Sequence, residues 1–296
     1  ETEHYEEMVE ELIWNEVSSF KKMYLKDRKI ENIMLIGDVF TDSVYQNIEE
    51  KTTKIISREN FNTWYEKIIH QSPMELAVKL GIPLENASLM YPSAVIYKCL
   101  IDMMGAEHIW IPGVHMTRGI AYEYAEQMKL LKGGHNFEND ILMAAKNIGK
   151  RYAVNRPHVQ NLEMTALAMF DATKKMHGMK ERERLLLQMA VMLHDVGKYI
   201  SFNNVADSSY NIIMSNEIIG LSHIEREMVA LIARYNTVTL PSYDELVMES
   251  SLSAEQYLTV SELTAIVRLA NALDRSHLQK IQADRNSTRL NSSHIM

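Results

Sequence analysis

Apolar side chains recur at steps of three and four residues through the start of the chain, which predicts an amphipathic helix over residues 3–26. Two short apolar runs follow, at residues 30–37 and 108–114, and we expect both to be buried strands. Capping residues and the same helical spacing predict further helices that begin near Ser57, Ser72, Tyr91 and Ile120. Helices and strands therefore alternate in this first part.

The pattern changes at residues 132–136, where two glycines flanked by polar residues indicate a domain boundary. Beyond it we find no convincing strand, and helical spacing predicts helices over 137–153, 158–177, 181–194, 209–216, 222–235 and 254–275. We therefore expect an α+β fold that is mostly helical, with a mixed domain over 1–131 and an all-α domain over 137–281. The segment 285–296 has no periodicity and is predicted to be a non-native tail.

Composition narrows the classes of protein. The chain has 296 residues, a hydrophobic content of 46% and a formal net charge of −8, so we expect no broad nucleic-acid surface. The single cysteine excludes an internal disulfide framework, which fits a cytoplasmic protein. No apolar run has transmembrane length, so we expect no membrane partner. Because the sequence begins with Glu1 rather than Met, we expect a fragment.

The candidate chemistry lies at the pair His194-Asp195, which ends an apolar helix just before Gly197. An imidazole beside a carboxylate is a poor core pair unless a metal ion or a hydrogen-bond network satisfies both. His158 and Asp274, near the ends of two other predicted helices, would complete a set of ligands suited to Mn, Fe, Mg or Zn. Each residue alone could equally be a cap, a surface residue or a satisfied core residue.

The order His158, His194-Asp195 and Asp274 resembles the pattern of HD phosphohydrolases. More narrowly, several runs resemble the helical domain of the exopolyphosphatase/guanosine pentaphosphate phosphohydrolase family, namely residues 168–171, 185–187, 192–200, 232–235 and 272–276. Residues 75–82, 87–92 and 118–121 resemble the second actin-like lobe of the same proteins. The resemblance implies a partial actin-like (ribonuclease H-like) lobe followed by an HD-type all-α domain.

This family implies hydrolysis of terminal phosphoanhydride bonds in polyphosphate or guanosine pentaphosphate, in a cleft between two actin-like lobes. It also implies a divalent metal, Mg or Mn, and a homodimer. The catalytic residues are expected in a first lobe that this sequence lacks, so we expect little activity from the chain alone.

The resemblance places two further sets of residues near substrate. The resemblance implies phosphate contacts at four residues, Gly37, Asp38, Arg118 and Gly119. Arg118 is the best candidate, since a guanidinium can form two parallel hydrogen bonds to phosphate oxygens. Arg118 could instead pair with Glu123. Within the helical domain, Lys198 and Arg234 are predicted as auxiliary residues, and Lys198 would neutralise developing charge. These roles are implied by the resemblance rather than by the spacing of the residues.

Departures from the family pattern leave alternatives open. The run from Gly37 to Thr41 lacks the second glycine that the family usually has, and Val39, which has a Cβ, adopts positive φ less readily. Ser208 and Asn236 stand where the family usually has histidines, which disfavours a two-metal site. One alternative is a self-contained, metal-dependent HD phosphohydrolase. Another is a non-catalytic module that binds polyphosphate or nucleotide, or that mediates dimerisation.

Overall fold

The computed structural model describes residues 2–37, 39–46, 54–131 and 134–278. The chain forms two compact units, Glu1–Gly133 and Gly134–Met296, which we call the N-terminal unit and the helical unit. The described residues are mostly helical and include one three-stranded sheet, which confirms the predicted mostly helical α+β fold. None of the described helices combines the length and the apolar character needed to cross a bilayer. The segment 285–296 lies outside the described residues.

The N-terminal unit alternates helices with short strands. Its elements are α1 (Thr2–Phe20, continued by a π-helical turn at Lys21–Leu25), β1 (Asn32–Met34), α2 (Val39–Gln46), β2 (Ile55–Ser57), α3 (Arg58–Ile69), α4 (Pro73–Leu80), α5 (Leu84–Ser88), α6 (Met90–Met104), β3 (His108–Trp110) and α7 (Met116–Gln127). Capping chemistry sets the ends of α4: Ser72 accepts a hydrogen bond from the backbone N–H of Glu75, and Gly81 takes left-handed φ at the other end.

β3 is the central strand of the sheet, whose order is β1-β3-β2. β1 runs parallel to β3, with Ile33 opposite Ile109, and β2 runs antiparallel to it, with Ile56 opposite the same residue. The two apolar runs that predict strands do contain β1 and β3, but each strand has only three residues. Sequence analysis did not indicate β2, because its apolar run is too short to show a period.

Since β1 and β3 are parallel neighbours, their carboxyl ends meet at one edge of the sheet, where α2 and α7 begin. A contact across this edge joins the two segments: Nε2 of His115 lies 3.5 Å from Oδ1 of Asp42. Ile109 of β3 and Phe61 of α3 are fully buried in the core of the N-terminal unit. The sheet edge after β1 and β3 is therefore fixed by buried residues of the strands and of α3.

The helical unit is a bundle built around one central helix. Its elements are α8 (Phe137–Arg151), α9 (Arg156–His177), α10 (Glu181–Leu193), a 3-10 turn (Val196–Tyr199), α11 (Val205–Ser215), α12 (His223–Tyr235), α13 (Tyr243–Leu246) and α14 (Ala254–Leu273). α10 packs against α8, α9, α12 and α14, and its last five residues, 189–193, are all buried. The end of α10, which is apolar on every side, suits this central position, since neighbouring helices cover all of its faces.

Candidate metal centre

His158 is placed by the start of α9. The side-chain oxygen of Asn155 accepts a hydrogen bond from the backbone N–H of His158 at 3.2 Å, and Pro157 occupies the first turn. An Asn cap followed by proline is a strong signal for a helix start, because both satisfy or remove free backbone N–H groups. The imidazole of His158 is fully buried at this position. The local sequence therefore fixes where this ring enters the bundle.

His194 and Asp195 follow the last residue of α10, where a 3-10 turn packs tightly against α11. A Cβ on Gly197 would lie 2.3 Å from the carbonyl oxygen of Val205 and 2.6 Å from the nitrogen of Ser209, so only glycine fits there. Oγ of Ser209 accepts a hydrogen bond from the Gly197 N–H at 2.9 Å and donates to the carbonyl of His194 at 3.2 Å. Gly197 and Ser209 thus hold the end of α10 against α11.

The structure brings all four predicted metal-site residues together, but in two different roles. His158, His194 and Asp195 each offer one donor atom, and these atoms lie within 4.8 Å of one another; we call these three buried residues the donor cluster. Asp274 is not a member of this group. Its Oδ2 lies 2.8 Å from Nδ1 of His158, and its side chain is buried. Asp274 therefore orients a ring of the donor cluster from behind.

Hydrogen bonds at both rings fix which nitrogen carries the proton. Nδ1 of His194 lies 2.8 Å from the carbonyl oxygen of Val191, which can only accept, so Nδ1 is the donor. Nδ1 of His158 donates to Asp274 in the same way. In a neutral ring each Nε2 then carries a lone pair, and both Nε2 atoms are buried without a hydrogen-bond partner. Nε2 of His194 lies 3.3 Å from Oδ2 of Asp195 without forming a hydrogen bond.

The charge states of the donor cluster suit a cation. Burial lowers the pKa of His158 by more than the hydrogen bond to Asp274 raises it, which favours the neutral ring. Burial raises the pKa of the Asp195 carboxyl, but the neighbouring groups, Lys198 among them, lower it by more, so it stays well below its ordinary value. Lys198 forms an ion pair with Asp195. When both rings are neutral, their Nε2 lone pairs and the Asp195 carboxylate are ligands that a divalent metal ion accepts.

Arg234 and Asn236 have structural partners. Nη2 of Arg234 lies 2.7 Å from Oδ1 of Asp207, and its guanidinium lies 5.3 Å from the ring centre of Tyr210. The buried amide of Asn236 accepts a hydrogen bond at 2.9 Å from Asn271, which links the ends of α12 and α14. These residues tie helices of the bundle together.

The predicted phosphate contacts lie in the N-terminal unit. Gly37 follows β1, and a Cβ added there would meet its nearest atoms at an ordinary 3.7 Å, so crowding does not require glycine. Arg118 and Gly119 lie in the first turn of α7 and are exposed. They follow β3 as Gly37 follows β1, at the same edge of the sheet. Asp38 lies outside the described residues.

Sequence analysis missed one aromatic neighbour of the donor cluster. The ring of His277 stacks on the ring of His158, with centroids 3.8 Å apart and an interplanar angle of 13°. No partner of His277 is visible in the sequence, which favours a structural or surface residue. Its place three residues after Asp274, just beyond the end of α14, is the one signal that could have indicated it.

Most of the helical unit is similar to a domain of a known protein family. The model of the Ppx/GppA phosphatase family, domain III, matches residues 142–296. A guanosine-5'-triphosphate,3'-diphosphate pyrophosphatase from Vibrio atlanticus is 22% identical over 190 residues, which are 63% of this chain and 36% of that protein. The chain thus spans about a third of the length of this curated relative. The family match extends over more than half of the chain and includes all three residues of the donor cluster; the chain belongs to the Ppx/GppA phosphatase family.

Proposed function

We propose that this chain is part of a phosphoanhydride hydrolase and that its donor cluster binds one divalent metal ion. The observation that supports this most is the pair of buried Nε2 atoms of His158 and His194, which have no hydrogen-bond partner and lie beside the Asp195 carboxylate. Leaving such atoms unsatisfied costs about 1–3 kcal/mol each. A bound cation would remove that cost.

The donor set favours particular ions. Two imidazole nitrogens and one carboxylate oxygen suit Mn, Fe or Zn, whereas Mg prefers oxygen ligands and keeps several waters. Of the two ions predicted from the sequence, Mg and Mn, we therefore propose Mn. A bound ion supplies charge stabilisation at a phosphoryl oxygen. Lys198, which is 39% exposed and pairs with Asp195, would add a positive charge beside it.

The N-terminal unit would supply the phosphate contacts. Arg118, Gly119, Gly37 and Asp38 follow neighbouring parallel strands, and ligands of open α/β sheets bind outside the carboxyl ends of such strands. The relative's printed name, a guanosine-5'-triphosphate,3'-diphosphate pyrophosphatase, supports guanosine pentaphosphate as substrate, with polyphosphate as the alternative. We propose that catalysis needs further parts of the parent protein, so this chain alone releases little phosphate.

Metal binding by the whole chain tests the proposal. The protein is stripped with a chelator and titrated with Mn²⁺ in a calorimeter, and we expect one ion to bind. His194→Gln and Asp195→Asn should both abolish binding. His223→Gln is the matched control, because His223 contacts Arg226 at the start of α12 and not the donor cluster. Absence of binding to the unchanged, folded chain would contradict the proposed metal site.

A self-contained hydrolase is the second candidate, and the complete donor cluster within the helical unit favours it. It requires that the chain release phosphate from guanosine pentaphosphate or polyphosphate in the presence of Mn²⁺, and that His194→Gln abolish this release. Salt-sensitive polyphosphate binding without turnover would instead favour a binding module. The same purified chain serves for both assays, so the outcomes separate the three functions directly.

A further inference from the structure

The turn after α14 contacts the imidazole of His158 in two ways. At the edge of the ring, Oδ2 of Asp274 accepts the Nδ1 hydrogen at 2.8 Å. On the face of the ring, the imidazole of His277 stacks at 3.8 Å between centroids. One short segment of chain therefore restrains both the in-plane rotation and the tilt of the same side chain.

The backbone of this turn is shaped for the contact. The N–H of His277 donates to the carbonyl of Asp274 at 2.8 Å, which closes the turn. His277 has φ of 53°, in the left-handed region, where His and Asn are enriched among residues other than glycine. This conformation accompanies the placement of its ring flat against His158.

We infer that His277 is a positioning residue that, together with Asp274, holds the His158 ring with its Nε2 directed at the donor cluster. The inference rests on the proposed function, because the orientation matters for a metal ligand. His277 is not a member of the donor cluster itself. Stacked aromatic rings attract each other beyond the area that they bury, and partners behind a metal-binding histidine commonly change affinity when they are removed.

Two substitutions separate the ring of His277 from its nitrogens. His277→Asn removes the ring and keeps a residue that tolerates left-handed φ. His277→Phe keeps a flat ring and removes both nitrogens. If stacking positions His158, Asn should disturb the site and Phe should restore it. If His277 acted through a nitrogen, both variants would behave alike. His223→Asn serves as the control, since His223 contacts Arg226 rather than the donor cluster.

The first measurement uses metal-free protein. The Nδ1 nitrogen of His158, assigned with a His158→Gln variant, is followed by 15N NMR, because its signal reports the hydrogen bond to Asp274 and is little affected by the ring current of a neighbour. We expect the His158 signals to move in His277→Asn and to stay near their original positions in His277→Phe. Unchanged signals in His277→Asn would overturn the inference, whatever the chain does with metal.

The second measurement is Mn²⁺ affinity of the same proteins. We expect His277→Asn to weaken binding about tenfold, in the range seen for partners behind metal ligands, with His277→Phe close to the unchanged chain. If the His158 signals move but no protein binds metal, the positioning inference stands and the proposed function fails. If the unchanged chain binds Mn²⁺ and His277→Asn binds it equally well, the positioning inference fails and the proposed function stands.

Discussion

The two units of this chain place their candidate chemistry on different supports. In the N-terminal unit, Arg118 and Gly119 lie exposed at the start of a helix beside a sheet of three-residue strands. In the helical unit, the donor cluster is buried, and its residues come from the ends of α9 and α10. Among the described residues, the hydrophobic core of the helical unit has more than twice as many buried residues as the core of the N-terminal unit.

The two proposed sites would therefore meet their ligands differently. Exposed groups at a sheet edge can meet a large anion without losing hydration until it arrives. Buried groups must be held in place by neighbours, since each unsatisfied polar atom costs free energy. The exposure of large apolar side chains also differs between the units. On α1 and α7 several are exposed, namely Met8, Leu12, Ile120 and Tyr124. By contrast, α10 ends in a run of buried residues that includes Met189 and Leu193.

The largest expected effect is the loss of stability when Gly197 is replaced. Gly197→Ala places a Cβ 2.3 Å from a backbone oxygen, so the 3-10 turn must move, and we expect a loss of about 3 kcal/mol or more in the free energy of unfolding. Gly37→Ala in the N-terminal unit meets its nearest atoms at 3.7 Å and should change stability by about 0.5 kcal/mol at most. Urea unfolding measures both. Equal losses would remove the contrast in packing between the units.

The next effect concerns the buried carboxylate behind His158. Asp274→Asn keeps the shape of the side chain but removes its charge, so the His158 ring is held less firmly and is a weaker donor. We expect Mn²⁺ affinity to fall about 10–100-fold. Calorimetric titration of the variant and of the unchanged chain gives the ratio. Unaltered affinity would show that Asp274 has no part in the metal site.

Acid should reveal a third difference. Two hydrogen bonds from Arg182, at 2.6 and 2.8 Å, outweigh the effect of burial and, with hydrogen bonds from Ser222, hold the pKa of Glu225 at about 2, against an ordinary value of 4.5. A lowered carboxyl pKa contributes stability above pH 4.5 that is lost as the pH falls towards 2. Arg182→Gln should therefore cost about 1 kcal/mol at neutral pH and progressively less as the pH falls below 4.5.

The matched variant in the N-terminal unit is Arg58→Gln. Burial raises the pKa of its partner Asp102, but hydrogen bonds from Lys98 and Arg58 lower it by more. Because Lys98 stays in place, we expect a smaller effect than for Arg182→Gln and a weaker dependence on pH. Unfolding midpoints measured from pH 7 to pH 2 compare the two variants. A pH-independent difference for Arg182→Gln would contradict the assignment of the Glu225 shift to this ion pair.

The smallest effects should be alike in both units. Ser57 caps α3 by accepting from the N–H of Asn60, and Ser253 caps α14 by accepting from the N–H of Gln256, both at 3.2 Å. We expect each Ser→Ala change to cost about 0.5–1 kcal/mol. Hydrogen exchange of the first turn of each helix checks this. A large difference between them would mean that local helix chemistry also separates the units.

Much of this fold could be predicted because its signals are local. Capping residues and spacing indicated α3, α4 and α6 and the main helices of the bundle, including α9 after Asn155 and Pro157. The length of the strands could not be predicted, since three-residue strands are stabilised by partners distant in sequence rather than by their own pattern. β2 was missed for the same reason, whereas α13 has a local capping box of Ser242 and Glu245 but only four residues, too few to show a helical period.

The candidate site, like the fold, was predictable only where its signals are local in sequence. Adjacent residues such as His194 and Asp195 could be recognised from the sequence, and their order with His158 and Asp274 suggested a common site. The roles within it depend on distances between helices, so the hydrogen bond from His158 to Asp274 and the stacked ring of His277 were not predictable. Whether Arg118 contacts phosphate stays a prediction.

The strand order of the sheet has a consequence for synthesis of the protein. The central strand, β3, is made last, and β1 and β2 each pair only with it. The strand residues 32–34 and 55–57 therefore leave the ribosome before residues 108–110, with which they pair. A nascent chain that ends before residue 108 lacks the strand that joins the other two, so the sheet can form only after β3 has been made.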